Sequence, residues 1–120
     1  VFKIRKIKNV NVLLNPKNIY KIFANSTLVI TSTGLIKYEL ACMSVPSIML
    51  VANKNAMENN ISFANKKTGM ILNKNDNKLK NVNKIKKLLK NKSFLTKFSI
   101  NGYKTFNKAR EDELIKLILK

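Results

Sequence analysis

Apolar and polar positions along the chain follow two rhythms. Short apolar runs rich in β-branched residues are separated by stretches in which apolar residues recur at three- and four-residue spacing. The first rhythm belongs to buried strands and the second to amphipathic helices. Their alternation predicts an α/β domain of Rossmann-like class, a parallel sheet flanked by helices.

Asn11-Val12-Leu13-Leu14 reads as the first strand, ended by Asn15-Pro16. Asn15 is a candidate cap, and Pro16 suits the first turn of a short helix bearing Ile19, Ile22 and Phe23. Thr27-Leu28-Val29-Ile30-Thr31 reads as a central strand buried on both faces. After a turn at Ser32-Thr33-Gly34, residues 35–43 place Ile36, Leu40 and Met43 on one helical face, and Ser44-Val45-Pro46 breaks that helix. Ser47–Val51 is the next buried strand. A helix is expected over 57–66, stopped by Thr68-Gly69 and followed by a short strand, Met70-Ile71-Leu72.

Asp76 is a candidate cap for a helix whose stripe of Leu79, Val82, Ile85, Leu88 and Leu89 packs on the sheet with lysines opposite. Ser93 would cap a further short helix through Phe94 and Phe98. A last helix is expected from Tyr103, with Phe106, Leu114, Leu117 and Ile118 inward. Phe2 and Ile4 alternate with charges, a pattern that fits a strand or a helix end.

Composition narrows the chemistry. The 120 residues suffice for one domain and one core, and with three Gly and two Pro the chain is not of low complexity. No apolar run approaches the roughly 20 residues of a membrane-spanning helix. A single cysteine, Cys42, excludes an internal disulfide and a cysteine-based zinc site. The absence of histidine removes Ser-His and Cys-His nucleophilic pairs and the commonest metal ligand. A reduced, cytoplasmic setting is the expectation, with no bound metal or organic cofactor.

The net charge of +18 points to polyanions. Its distribution is uneven. Residues 31–72 carry four basic against two acidic side chains, whereas residues 73–120 carry 14 against four. Only Arg5 and Arg110 are arginines, and 18 residues are Asn, so the excess of Lys, Asn and Ile also fits an AT-rich coding sequence. Both readings of the charge stay open, as does nonspecific polyanion binding through the Lys-rich carboxy-terminal region.

In a parallel α/β sheet, ligands gather beyond the carboxyl ends of the strands. The loops Asn15–Asn18, Thr31–Gly34 and Ala52–Asn59 are therefore the candidates. Thr31-Ser32-Thr33-Gly34 delivers two hydroxyls and a glycine to a helix start, where free N–H groups favour an anion; plain capping of the helix explains these residues as well. Glu39, within Tyr38-Glu39-Leu40-Ala41-Cys42, offers a carboxylate suited to a vicinal diol, or else faces solvent or a lysine.

Ile30-Thr31-Ser32-Thr33-Gly34-Leu35-Ile36-Lys37-Tyr38-Glu39-Leu40-Ala41, followed by Val45-Pro46-Ser47, resembles the carboxy-terminal S-G-G-S-T-x-x-E-x-x-x-x-G-x-P motif of GT-B enzymes. The resemblance is to the UDP-sugar hydrolases of pseudaminic acid synthesis and the spore-coat polysaccharide proteins, and more distantly to MurG-type glycosyltransferases. It spans roughly residues 11–72 and rests on pattern and order. Thr33 stands where the family has its first Gly, Leu35 and Ile36 replace its Ser and Thr, and Ser44 replaces a Gly.

The resemblance implies the nucleotide-binding half of a two-domain enzyme of surface-polysaccharide or nonulosonic-acid synthesis, a hydrolase or glycosyltransferase. Glu39 would hold the ribose, and Ser32, Thr33 and Gly34 would lie against the diphosphate. The backbone of Leu14 and Asn15 would contact the base, and Asn55 and Asn59 would line the sugar side. The family's catalytic base comes largely from its amino-terminal half. The chain opens on Val1 and reads as a fragment: one domain, residues 1–120, lacking that half, inactive by itself, and with no catalytic residue of its own. A basic α/β module for nucleic acid or another polyanion is the alternative, and a non-catalytic remnant a further one.

Overall fold

A computed structural model of the chain describes residues 6–106 together with 116, 118 and 119. In order along the chain are α1 (Ile19–Ala24), β1 (Val29–Thr31), α2 (Ile36–Cys42), β2 (Ser47–Val51), α3 (Lys54–Asn65), β3 (Gly69–Asn73), α4 (Lys78–Lys90) and α5 (Lys92–Phe106). The three strands form one parallel sheet, ordered β1-β2-β3, flanked by the five helices. The fold is α/β and Rossmann-like.

Register sorts the sheet residues into two faces. Val29 pairs with Ser47, and Met49 with Ile71, so Val29, Thr31, Met49 and Ile71 share one face, and Ile30, Ile48, Met70 and Leu72 the other. Each crossover advances one strand in the same direction, which puts both crossover helices on one face. There, Ala41 of α2 and Phe63 of α3 pack on Met49 and Ile71. Leu88 of α4 and Leu95 of α5 cover Ile48 and Leu72 on the opposite face. Phe23 of α1 joins Leu40, Val45 and Val29 in a third cluster beside β1.

α5 ties the faces together. It begins in the cluster holding Leu95 and ends in the cluster holding Phe106. On the way, Ser99 Oγ donates to the Ser44 carbonyl at 2.6 Å and Asn101 Nδ2 donates to the Lys67 carbonyl at 3.2 Å. Both acceptors lie just before strands, so α5 runs beneath the amino ends of β2 and β3. The carboxyl ends are left open. Gly102 makes this crossing possible, since a Cβ there would sit 2.9 Å from the Ala41 carbonyl oxygen.

Several expectations are corrected. Asn11–Leu14 forms no strand, and Leu13 and Leu14 are exposed. Asn9 and Asn15 bracket the segment with left-handed backbone, and among the described residues no strand pairs with the outer edge of β1. β1 is accordingly an edge strand, with Ile30 46 % exposed. Asn18 rather than Asn15 caps α1, and Asn77 rather than Asp76 caps α4, because each side-chain oxygen reaches the amide three residues on. Asn53 starts α3 earlier than expected, over 54–65.

Of the α4 stripe, Leu79, Val82 and Leu89 are exposed, while Leu88 is buried and Ile85 half-buried. The narrow sheet offers α4 only one line of contact. On α1 only Phe23 is buried, and on α2 Ile36 is exposed. The two helices expected after Ser93 are one, capped by Asn91. Along it Phe98 is buried, but Phe94 and Tyr103 are exposed. Ile118 is also exposed. Phe2, Ile4, Leu114 and Leu117 lie outside the described residues.

Gly102→Ala tests the crossing. Helix propensity by itself would stabilise by about 1 kcal/mol. Overpacking against Ala41 is expected to reverse the sign, a net loss of about 1–3 kcal/mol in urea unfolding. In the same series Ser47→Ala is expected to be neutral or mildly stabilising, since the Ser47 hydroxyl is buried with no partner.

Candidate functional site

β1 and β2 deliver their carboxyl ends to a cavity of about 450 Å³ that opens to solvent. Its wall on the β1 side is Thr31, Ser32 and Thr33; on the β2 side it is Ala52, Asn53 and the first turn of α3 at Ala56; Lys74, just past β3, closes the rim. The side chains of Ile30 and Leu50 form an apolar floor. This volume lies within the range of small-ligand pockets. Among the described residues Lys74 is the only charged one lining it, and no carboxylate does. The site therefore favours an anion with a partly apolar body.

Local hydrogen bonds hold this rim. The Lys74 amide donates to the Val51 carbonyl at 2.9 Å, continuing the β2–β3 ladder by one step. Asn75 Nδ2 donates across to the Ala52 carbonyl at 2.7 Å, while the Asn75 amide donates to Asn73 Oδ1. The loop after β3 is thereby stitched to the loop after β2. Asn53 Oδ1 accepts from the Ala56 amide at 2.8 Å and is already engaged as the α3 cap. The hydroxyls of Ser32 and Thr33 have no hydrogen-bond partner among the described residues. α2 starts at Leu35, which is 76 % exposed and makes no side-chain cap. Ser32 and Thr33 thus do not serve as caps of α2.

Gly34 adopts φ +137°, a conformation L side chains rarely take, although a Cβ there would meet nothing within 4 Å. It allows the turn between Thr33 and Leu35 but does not line the cavity. Glu39 is exposed on the first turn of α2 and makes no ion pair among the described residues. Asn55 and Asn59 are exposed on α3, and Leu14 and Asn15 are exposed before α1; none of the four lines the cavity. The structure therefore brings Ser32 and Thr33 together with Lys74 and leaves Glu39, Asn55 and Asn59 on neighbouring outer surfaces.

Lys74 was hidden in the sequence among 24 basic side chains. Its position at the carboxyl end of the third strand was the available signal. A second cation went unnoticed. Lys37 occupies a core-facing position of α2 with Leu40 and Ala41 and is only 7 % exposed. Its Nζ donates to Asn60 Oδ1 at 2.6 Å and lies 4.7 Å from the centre of the Tyr38 ring. Asn60 in turn donates to the Ala56 carbonyl, and Tyr38 packs edge-on against Phe63 and Phe106. No carboxylate offsets the charge among the described residues, and burial lowers the Lys37 pKa from its ordinary 10.5. Lys37 braces α2 against α3 and does not line the cavity.

Among the described residues no cluster of His, Cys, Asp and Glu is arranged to hold a metal, and no helix is long and apolar enough to cross a membrane. The class defined by these features is a Rossmann-like α/β domain with an anion-favouring pocket at its strand ends. No protein-family model matches the chain, and neither a curated protein nor a solved structure matches it.

Burial of Lys37 has a defined pH signature. Protonated Lys37 penalises the folded state fully below its lowered pKa. Between that value and 10.5 the unfolded chain holds a proton that the folded chain has released, so stability rises with pH; above 10.5 the penalty is gone. Lys37→Met lacks this penalty. Its stability relative to wild type is expected to fall steadily as pH approaches 10.5, measured by urea midpoints from neutral pH upward. A difference independent of pH would mean that the amine is hydrated in the folded protein.

Proposed function

We propose that this domain binds the nucleotide of a UDP-sugar in the pocket at the carboxyl ends of β1 and β2, as one half of a GT-B-type hydrolase or glycosyltransferase of surface-polysaccharide or nonulosonic-acid synthesis. The observation that carries the proposal is the pocket itself, in which, among the described residues, two hydroxyls without a protein partner and one lysine, with no carboxylate, surround Ile30 and Leu50. A diphosphate fits that chemistry: Lys74 supplies charge, Ser32 and Thr33 donate, and Ile30 and Leu50 suit the flat face of a base or ribose.

Glu39 lies one helical turn beyond Leu35, exposed and unpaired among the described residues, and can accept two hydrogen bonds from a ribose diol reaching over the start of α2. Asn55 and Asn59, on the exposed side of α3, are polar groups available to a sugar. Among the described residues no carboxylate or histidine lines the pocket to act as a general base. Catalysis in this reading requires a group from a second domain facing the pocket. Leu35 beside it, 76 % exposed, is apolar surface that such a domain would cover.

A polyanion-binding module is the second reading. Lys80, Lys84 and Lys87 share one face of α4 and line a shallow surface hollow without an acidic residue. Such a face attracts nucleic acid through counterion release.

Calorimetric titration in moderate salt separates the two. Wild-type protein is expected to bind UDP and UDP-N-acetylglucosamine in preference to ATP. Lys74→Ala and Glu39→Gln are each expected to weaken UDP binding about tenfold, or about 1.4 kcal/mol. Equal binding of every nucleotide, unchanged by Glu39→Gln and suppressed by salt, would replace the donor-binding reading with the polyanion one.

A further inference from the structure

The outer edge of β3 presents a second surface, on the far side of the sheet from β1. β3 pairs with β2 along its whole length, and no strand pairs with its other edge among the described residues. In a parallel ladder the N–H and C=O of a residue point to the same side, and the side alternates along the strand. The Lys74 amide points inward to Val51. Leu72 and Met70 therefore point inward as well, and Ile71 and Gly69 direct their amides outward.

A groove of about 420 Å³ runs along this edge, walled by Phe94 and Phe98 of α5, with Lys67 and Lys97 among its lining residues. A smaller hollow of about 200 Å³, also bounded by Met70 and Phe94, continues it toward Lys84 and Lys87. Among the described residues neither is lined by an acidic side chain. β3 itself reads Gly-Met-Ile-Leu-Asn, with no charge and no proline. Exposed edges are normally protected by such residues or by a bulge, and this one has an unbroken five-residue register with β2 instead.

We propose that this edge receives an extended acidic segment of a partner protein as a fourth strand. The partner backbone pairs with the outward amide and carbonyl of Ile71, its alternate apolar side chains enter the Phe94–Phe98 groove, and its carboxylates meet Lys97, Lys67 and Lys84. The complementarity is of charge and of hydrogen-bonding edge together. Single-stranded nucleic acid matches the charge but needs free ring faces for its bases. Phe98 is buried, so of this aromatic pair only Phe94 offers exposed ring surface, too little for successive bases to stack on.

The test is fluorescence anisotropy with a labelled peptide of about ten residues in which Glu alternates with Val and Tyr. Saturable binding at near-physiological salt is expected, weakened about tenfold or more by the double substitution Lys84→Glu/Lys97→Glu. Both sites are on helix surfaces, and far-UV circular dichroism and the urea midpoint report whether the variant is folded. The same peptide with alternate amides N-methylated keeps its charge and loses its strand edge, so it is expected to bind about tenfold more weakly or worse. Amide hydrogen exchange at Ile71 is expected to slow when the parent peptide is bound. Equal binding of the methylated peptide, unchanged exchange at Ile71, or stronger binding of oligo-dT than of the peptide would each overturn the proposal. None of these outcomes depends on whether UDP binds at the opposite end of the sheet.

Discussion

Burial of β2 on both faces is the constraint from which the rest of the structure follows. Ile48, Met49 and Val51 are fully buried, and a strand enclosed in this way needs helices above and below it. α2 and α3 supply one layer, α4 and the start of α5 the other. With only three strands, neither layer has width to spare, and apolar positions at the margins stay in solvent. α5 resolves the remaining problem by passing under the amino ends of the strands, from one layer to the other. Because that end is closed by α5, the carboxyl end is the one left for a ligand. The pocket is thus a consequence of how the core is covered.

The parts of the fold legible in sequence are those in which local pattern and tertiary environment agree. Ser47–Val51 is apolar because both its faces are buried, and it was readable for that reason. Thr27–Thr31 has the same pattern without the same surroundings. Run length reports a strand but not whether a neighbour lies on each side, so an edge strand passed for a central one. Asn11–Leu14 shows the complementary failure, since apolar residues become a strand only where a ladder accepts them. The single helix Lys92–Phe106 read as two, because local pattern cannot see the close approach of Ala41 to Gly102 that lets the helix run through. In the site, Ser32 and Thr33 were legible from the strand-end rule. Lys74 obeys the same rule and was lost in the background of lysines. Glu39, prominent in the sequence, lies beside the pocket rather than in it.

Lys37 illustrates a cost that pattern analysis cannot register. Its position on α2 is a core position by geometry, yet a lysine fills it. The chain accommodates the amine with one amide oxygen and an aromatic face, not with a countercharge. Such an arrangement is less favourable than an apolar residue of similar size, but it is directional. Asn60 is itself held by the Ala56 carbonyl, so the bond fixes α2 relative to the first turns of α3. The first turn of α3 contributes Ala56 to the pocket, and α2 follows directly on the Thr31–Thr33 wall.

The excess of positive charge does not by itself distinguish one site from another. With 24 basic and six acidic side chains, every surface of this protein attracts anions, and most of that attraction is screened and unspecific. Selectivity has to come from groups with direction. At the strand ends these are two hydroxyls without a partner among the described residues and a lysine whose loop is stitched by Asn75, all lining one cavity open to solvent. At the β3 edge it is the outward-facing backbone of Ile71, which would select a partner that presents its own amides at strand spacing. On the outer face of α4 the lysines line an open surface, and no such directional group stands among them. In the proposals made for them, the first two surfaces would discriminate among anions by shape and hydrogen bonding, whereas the third would do so only by charge density.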